Sequence, residues 1–193
     1  MEQYLRATDI IDYGHAAVRA QAAALATGAG TAIDVAYRCF TFVRDRIAHT
    51  HDARGETITC AASEVLSFRT GFCYAKAHLL AALLRANGIP AGFCYQRLSR
   101  DGNGAPYCLH GLNAVYLDDI GWYRLDARGN TPEVDAQFTP PIECLAWPVT
   151  LPGEADLPEI WPDPLPLVVE ALHASLSAEE LWQRLPDIAI IGR

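Results

Sequence analysis

The chain has 193 residues, 51% of them hydrophobic, and it carries a formal net charge of −8. A chain of this length can bury roughly 70% of its unfolded surface, and this composition excludes an intrinsically disordered protein. The negative charge argues against nucleic acid and against an anionic membrane as partners, since both require a basic face.

One domain over residues 1–193 is the expectation for this length. The sequence has no N-terminal basic-then-apolar segment and no apolar run of transmembrane length, so we expect a cytoplasmic protein. In that compartment the six cysteines are expected to be reduced thiols. No feature of the sequence indicates an oligomeric state.

The first third of the chain predicts helices. Residues 9–27 and 31–47 are each typical of an amphipathic helix. Residues 61–66 predict a short helix before the loop that leads to Cys73.

Between these segments lies a group of candidate metal and cleft residues. His51 and Asp52 are candidates for lining a substrate cleft, or for capping a loop. His49 and His51, with Cys60 beyond them, are ligands of the type that zinc prefers, which makes a metal-binding protein one alternative. The chain has no Cys-x-x-Cys pair, and the spacing matches no common structural zinc site, so no metal is expected.

Cys73 stands where a loop changes into a helix. Apolar residues at helical spacing follow it, and Gly88 and Pro90 mark the predicted end of the helix. The first turn of a helix offers unpaired N–H groups and the positive end of the helix dipole, and both favour thiolate over thiol. Cys73 is therefore the candidate nucleophile, and a buried structural cysteine is the alternative.

Three strands are predicted after this helix. Residues 91–98 form the first, and Gln96 on it is either a ligand for a substrate carbonyl or an edge-facing polar residue. His110 and Asp126 lie on the next two, which are rich in aromatic and branched residues. Direct pairing of His110 with Asp126 in a hairpin predicts a turn centred on Asp118 and places both side chains on one face. The carboxylate can then orient the imidazole, and the imidazole can activate a thiolate.

The rest of the chain is less regular. Arg128 and Asn130, just past Asp126, are candidates for holding a substrate carboxylate, or they form a simple turn around the glycine between them. Residues 131–166 contain nine prolines and predict an irregular segment that wraps over the surface and borders a functional site. A capping box at Ser177 predicts a last helix through Leu185.

The order of these motifs resembles the transglutaminase-like superfamily of cysteine enzymes. The shared features are a Gly-x-Cys motif that opens a helix, a Gly-Ile-Pro-Ala segment, a histidine on a strand, and a tryptophan before Leu-Asp. In this chain they fall, within about residues 45–130, at Gly71-Phe72-Cys73, Gly88-Ile89-Pro90-Ala91, His110, Trp122 and Leu125-Asp126. The chain departs from the family in having Leu112 two positions after the histidine and Ala127 after the aspartate.

The resemblance implies an α+β fold of the transglutaminase-core, papain-like type, with helices packed on an antiparallel sheet. It implies that Cys73 is the nucleophile, that His110 is the base and acid, and that Asp126 orients the histidine. The implied reaction is acyl transfer through a thioester on an amide or ester carbonyl, without a metal or organic cofactor. The partner is then a peptide, a protein or a small amide or ester.

Two questions stay open at the level of sequence. Water as acceptor makes the protein an amidase or peptidase, which we favour, whereas an amine acceptor makes it a transglutaminase or an amide-forming enzyme. A non-catalytic binding module that keeps the three residues as a packed polar cluster is the alternative from a different class.

Overall fold

Helices make up most of the first half of the molecule. The computed structural model describes residues 1–188, and its helices are a short 3-10 helix at Glu2–Tyr4, α1 Ala16–Ala26, α2 Ala32–Arg46, α3 Ala62–Phe68, α4 Cys73–Ala86, α5 Pro166–Ala174 and α6 Ala178–Gln183. Within residues 1–188, none of them combines the length and the apolar character that a bilayer-spanning helix requires.

The strands form one main sheet and one small pair. They are β1 Ala48–His49, β2 Thr70–Gly71, β3 Ala91–Ser99, β4 Tyr107–Leu117, β5 Gly121–Leu125 and β6 Ala155–Asp156. The last four form an antiparallel sheet in the order β5-β4-β3-β6, whereas β1 and β2 pair in parallel. Helices packed on an antiparallel sheet confirm the predicted α+β class.

The first two helices begin at side-chain caps. The predicted helix over residues 9–27 is too long at its start, because His15 Nδ1 accepts a hydrogen bond from Ala17 N and caps α1 there. Thr31 and Asp34 form a reciprocal capping box that starts α2 close to the predicted position.

The central helix of the fold is α4. Its residues from Cys73 to Arg85 are all buried, and the basic side chains among them bond to backbone carbonyls of the surrounding chain. It packs against α1, α2, α3 and the main sheet. Asn87 caps its C-terminus and Gly88 follows at φ 73°, a left-handed conformation that ends the helix where the sequence predicts.

The two faces of β4 contact different parts of the molecule. On one face, Gly111 lies against Tyr74 of α4, where an added Cβ would come within 2.7 Å of the ring, and Asn113 donates to the carbonyl of Ala77. On the other face, Leu112 and Ala114 pack in a second small cluster with Cys94, Trp122, Leu145 and Ile160. His110 belongs to this second face by strand alternation.

The turn of the β4–β5 hairpin is centred one residue later than predicted. Leu117 pairs with Gly121, which makes a three-residue loop centred on Asp119 instead of Asp118. Because the shift changes the paired positions by two residues, it preserves the face of each side chain. His110 and Asp126 are therefore diagonal rather than direct neighbours, still on the same face.

The proline-rich segment, residues 131–166, covers that second face. It is largely irregular, but it contributes β6, and Trp161 exchanges two backbone hydrogen bonds with Phe93 of β3. Ile160 comes so close to β3 that a Cβ on Gly92 would lie 2.5 Å from it. The sheet is thus a middle layer between α4 and this segment.

Candidate active site

Cys73 is the first residue of α4, and Phe72 alone separates it from the end of β2. It is 8% exposed and forms part of the lining of a cleft. As an N-terminal residue it has a backbone N–H without an intrahelical acceptor, and it lies at the positive end of the helix dipole. The structure therefore gives Cys73 the setting that the sequence predicts.

His110 and Asp126 form a buried pair beside this cysteine. His110 Nε2 lies 2.6 Å from Asp126 Oδ2, and the residues are 4% and 0% exposed. The carboxylate also accepts hydrogen bonds from the backbone N–H groups of Arg128 and Ala146. Because Nε2 is engaged with the carboxylate, Nδ1 is the ring nitrogen left to serve Cys73.

Opposite shifts in pKa follow from this arrangement. Burial alone would raise the pKa of the Cys73 thiol, but the charge and hydrogen bonding of His110, with a smaller contribution from His49, lower it to about 6. Burial alone would lower the pKa of His110, but Asp126 and the Cys73 thiolate raise it to about 10. The thiolate–imidazolium pair is thus the stable form between these two values.

The carboxylate of the pair is held in its ionised form. Burial alone would raise the pKa of Asp126, but His110 and the two backbone N–H groups outweigh burial and lower it. A fixed, ionised carboxylate stabilises an imidazolium and sets the orientation of the ring.

His49 is a cleft residue near Cys73, whereas the sequence indicates it only as a candidate metal ligand. It lies on β1, is 8% exposed and packs edge-on against Phe72 at 5.5 Å. Its Nδ1 lies 3.2 Å from Asp52 Oδ1, although the two atoms are not aligned for a good hydrogen bond. Strands of two residues show no alternation pattern, so no signal in the sequence indicates that β1 brings His49 close to the nucleophile.

The cleft above Cys73 has a volume of about 390 Å³. Its walls are mainly apolar, and they include Phe72, Leu98, Leu109, Trp147, Leu151 and Trp182. Trp147 comes from the proline-rich segment and packs edge-on against His110 at 4.8 Å. Trp182 comes from α6, which Ser177 caps as predicted. Neither tryptophan was singled out from the sequence, because each reaches the cleft only through tertiary packing.

Of the candidate substrate-binding residues, Arg128 lies in the lining of this cleft. It forms an ion pair with Asp52 at 2.7 Å, and its guanidinium lies over the ring of Trp147 at 4.7 Å. His51 stacks on Trp182 at 3.9 Å, outside the cleft lining.

Gln96, Asp52 and Asn130 are not part of the cleft lining either. The amide of Gln96 donates to Trp147 O and to Asp156, so it fastens the proline-rich segment to the sheet instead of facing a substrate. Asn130 bonds to the neighbouring loop at Asp135 and Ala136.

The proposed metal ligands are dispersed in the structure. His49 faces Cys73, His51 stacks on Trp182, and Cys60 is buried with its carbonyl bonded to His78. Within residues 1–188, no group of three histidine, cysteine or acidic side chains is arranged to hold a metal ion.

The pKa values of the thiols differ strongly enough for alkylation to distinguish Cys73 from the others. Burial raises the pKa of Cys39, Cys60, Cys94 and Cys108 to about 12. An ordinary thiol, with a pKa of about 8.5, is less than about 1% ionised at pH 6. A thiolate of low pKa is also less nucleophilic, which offsets part of the gain that Cys73 has from its larger ionised fraction. At pH 6, Cys73 should therefore be alkylated roughly tenfold faster than an ordinary thiol.

We therefore expect limiting iodoacetamide at about pH 6 to label Cys73 first, as peptide mapping by mass spectrometry would show. His110→Ala should slow this labelling, because it removes the cation that favours the thiolate. Prior labelling of the partly exposed Cys144, or labelling of Cys73 that is indifferent to His110, would contradict the assignment.

Comparisons with known proteins identify the family of the chain. The profile of the transglutaminase-like superfamily matches residues 19–127, more than half of the chain. A search of curated proteins returns no match.

Three solved structures resemble the chain. A candidate cysteine protease from Cytophaga hutchinsonii is 18% identical, with a TM-score of 0.53 over 65% of this chain and 40% of its own. The periplasmic domain of TgpA from Pseudomonas aeruginosa is 23% identical, with a TM-score of 0.48 over 64% of this chain and 45% of its own. A candidate protease from Parabacteroides distasonis is 18% identical, with a TM-score of 0.43 over 57% and 23%. The chain spans less than half the length of each of the three.

Proposed function

The chain belongs to the transglutaminase-like superfamily, and on that premise we propose that it is a cysteine hydrolase that forms a thioester at Cys73 with an amide or ester substrate. The observation that carries this proposal is the convergence of three groups at one point. A thiol with a lowered pKa at a helix N-terminus is served by a buried imidazole, which is itself held by an ionised carboxylate.

The first half of the reaction forms the acyl-enzyme. The Cys73 thiolate attacks the substrate carbonyl, and the carbonyl π electrons move to oxygen, where the backbone N–H of Cys73 can stabilise the charge. The tetrahedral intermediate collapses with cleavage of the bond to the leaving amine or alcohol. The His110 imidazolium gives its proton to that leaving group, and the thioester remains.

The second half releases the acid. Neutral His110 takes a proton from water as the water oxygen attacks the thioester, and the carbon–sulfur bond then breaks. Cys73 leaves as a thiolate beside the imidazolium, so the starting state is restored. Asp126 keeps its negative charge throughout and holds the ring in one orientation.

The walls of the cleft favour an apolar acyl group. Trp182 and Trp147 supply aromatic surface to a cavity whose lining also includes Phe72, Pro148 and four leucines. Pockets of this kind bind by burial of apolar surface, with few polar groups to orient the ligand.

Trp182→Ala is expected to raise KM for p-nitrophenyl butyrate about tenfold, equivalent to ~1.4 kcal/mol of binding, with kcat nearly unchanged. The physical reason is that Trp182 lines the cleft, where it would contact the acyl chain of a bound substrate. Trp182→Phe, which keeps an aromatic wall, is the matched variant and should stay close to the parent protein. A fall in kcat at constant KM would contradict this role.

An acceptor competition tests hydrolysis against transfer. The protein is incubated with p-nitrophenyl butyrate, with and without methylamine, and the products are separated by chromatography. We expect butyric acid as the main product under both conditions. N-methylbutyramide as the main product would identify the protein as an amine-acceptor transferase instead.

A further inference from the structure

A second histidine–aspartate pair approaches the same sulfur. His49 lines the same cleft as Cys73 and helps to lower the pKa of the Cys73 thiol, and Asp52 Oδ1 lies 3.2 Å from His49 Nδ1. Two imidazoles, each backed by a carboxylate, therefore converge on one cysteine. The mechanism above uses only the pair formed by His110 and Asp126.

The position of His49 is set by backbone pairing and by packing. In the parallel β1–β2 pair, His49 is opposite Gly71, two residues before the nucleophile. An edge-on contact with Phe72 fixes the tilt of the ring. An added Cβ on Gly71 would meet Ala75 at 3.1 Å and Thr59 at 3.2 Å, so the backbone in front of Cys73 is held tightly. The location of His49 beside the sulfur is thus built into the fold.

Asp52 is held as an anion on the far side of the ring. It forms two contacts with the guanidinium of Arg128, at 2.7 and 2.9 Å. Burial alone would raise its pKa, but His49 and Arg128 outweigh burial and lower it well below its usual range. Because Asp52 lies beside Nδ1 of His49, Nε2 is the ring nitrogen left to face the reacting centre.

The chemistry of acyl transfer requires a donor at this place. Attack by the sulfur converts a carbonyl oxygen into an oxyanion next to the nucleophile, and two donors usually stabilise it. The backbone N–H of Cys73 provides one donor. His110 cannot provide the other, because it must carry the proton of the leaving group.

We propose that His49 is the second oxyanion donor of the site and that Asp52 is the residue that positions it. This inference rests on the proposed function, since it assigns a role in the same acyl transfer. During the reaction, His49 acts with both ring nitrogens protonated, so that Nδ1–H lies beside the Asp52 carboxylate and Nε2–H donates a hydrogen bond to the oxyanion when the carbon–sulfur bond forms. His49 keeps both protons when the intermediate collapses. No bond to His49 is made or broken.

A purely packing role fits the surroundings of His49 less well. His78 is an example of a packed histidine: it is fully buried, its Nδ1 bonds to the carbonyl of Cys60, and burial lowers its pKa to about 4. His49, in contrast, lies in the lining of the cleft together with Cys73 and His110.

The test compares two reactions of Cys73 in the full chain. Acylation by p-nitrophenyl butyrate passes through an oxyanion, whereas alkylation by iodoacetamide displaces iodide at a saturated carbon and does not. Both rates scale with the thiolate fraction, so their ratio cancels any effect of a variant on the thiol pKa. His49→Leu fills the space without a donor, and His49→Gln fills it with an amide donor.

We expect the ratio of acylation to alkylation to fall by about 10²–10³ in His49→Leu, the usual cost of one lost oxyanion donor. In His49→Gln the ratio should stay clearly above that of His49→Leu. The exposed His173→Ala on α5 is the control and should match the parent protein. Should His49→Leu fail to fold, Asp52→Asn should lower the same ratio, because it removes the support of the His49 ring.

An unchanged ratio in folded His49→Leu would overturn the assignment, even with both rates lowered, since His49 would then act only on the thiolate. An equal loss in His49→Leu and His49→Gln would also overturn it. The proposed function fails by a different outcome: a parent protein that is alkylated at Cys73 but is never acylated there.

Discussion

Cys73→Ala is expected to reduce the rate of p-nitrophenyl butyrate hydrolysis to little more than that of the uncatalysed reaction. The small remainder is the rate enhancement that binding in the cleft gives without the nucleophile. Removal of a nucleophile that works together with a base and a carboxylate costs about 10⁶-fold in kcat. The effect should be this large because Cys73 is the attacking group and no other thiol in residues 1–188 shares its setting beside His110. Release of p-nitrophenolate under saturating substrate measures it.

The matched control is Cys144→Ala, which removes a partly exposed thiol whose sulfur donates a hydrogen bond to the loop carbonyl of Asp135. This variant should hydrolyse the ester like the parent protein. Thermal unfolding of both variants separates a chemical effect from a loss of folded protein. Turnover by Cys73→Ala at a rate near that of Cys144→Ala would exclude covalent catalysis at Cys73.

Asp126→Asn is expected to lower kcat by about 10⁴-fold, because an amide cannot stabilise the imidazolium or hold the ring in the required protonation state. The structure adds a second reason. The two carboxylate oxygens accept from His110 and from the backbone N–H groups of Arg128 and Ala146. An asparagine has one oxygen, so one buried backbone N–H must lose its acceptor in either orientation of the amide.

Iodoacetamide labelling tests the origin of that loss. In Asp126→Asn, His110 should hold its proton less firmly, so the Cys73 thiol should require a higher pH to ionise and to react. The pH dependence of labelling is measured for the parent and the variant. Labelling of the variant with an unchanged pH dependence would mean that Asp126 does not act through His110.

The parts of the fold that the sequence predicts are those with local signals. The start of α4 at Cys73 and its end at Gly88 follow from apolar spacing and from a residue that tolerates positive φ. The shared face of Leu112 and Ala114 follows from strand alternation alone. The transglutaminase-type α+β fold predicted from the order of the motifs is confirmed by the superfamily match.

Two features of the fold lie at other positions than predicted, because hydrophobic spacing alone does not determine them. The start of α1 is set by the cap at His15, and amphipathic spacing before it suggested a longer helix. The hairpin turn is centred on Asp119, and alternation cannot separate that register from a turn centred on Asp118 because both keep the same faces.

The candidate site shows the same division. Cys73, His110 and Asp126 belong to recognisable local segments, and the fold brings them together. His49, Trp147 and Trp182 reach the cleft from a two-residue strand, an irregular segment and a short helix, respectively. No periodicity marks such residues, since their contacts are with residues distant in sequence. Gln96 illustrates the converse: its strand position is as predicted, but its amide is engaged by Trp147 and Asp156.

The most direct test of thioester chemistry is the intact mass of the protein after brief exposure to p-nitrophenyl butyrate and rapid acid quenching. We expect a mass increase of one butyryl group, located on Cys73 by peptide mapping, that disappears with time as the acyl-enzyme hydrolyses. Cys73→Ala should show no such adduct. An adduct on a different residue, or turnover of the ester without any adduct on Cys73 in quenched samples across the pre-steady state, would contradict the account.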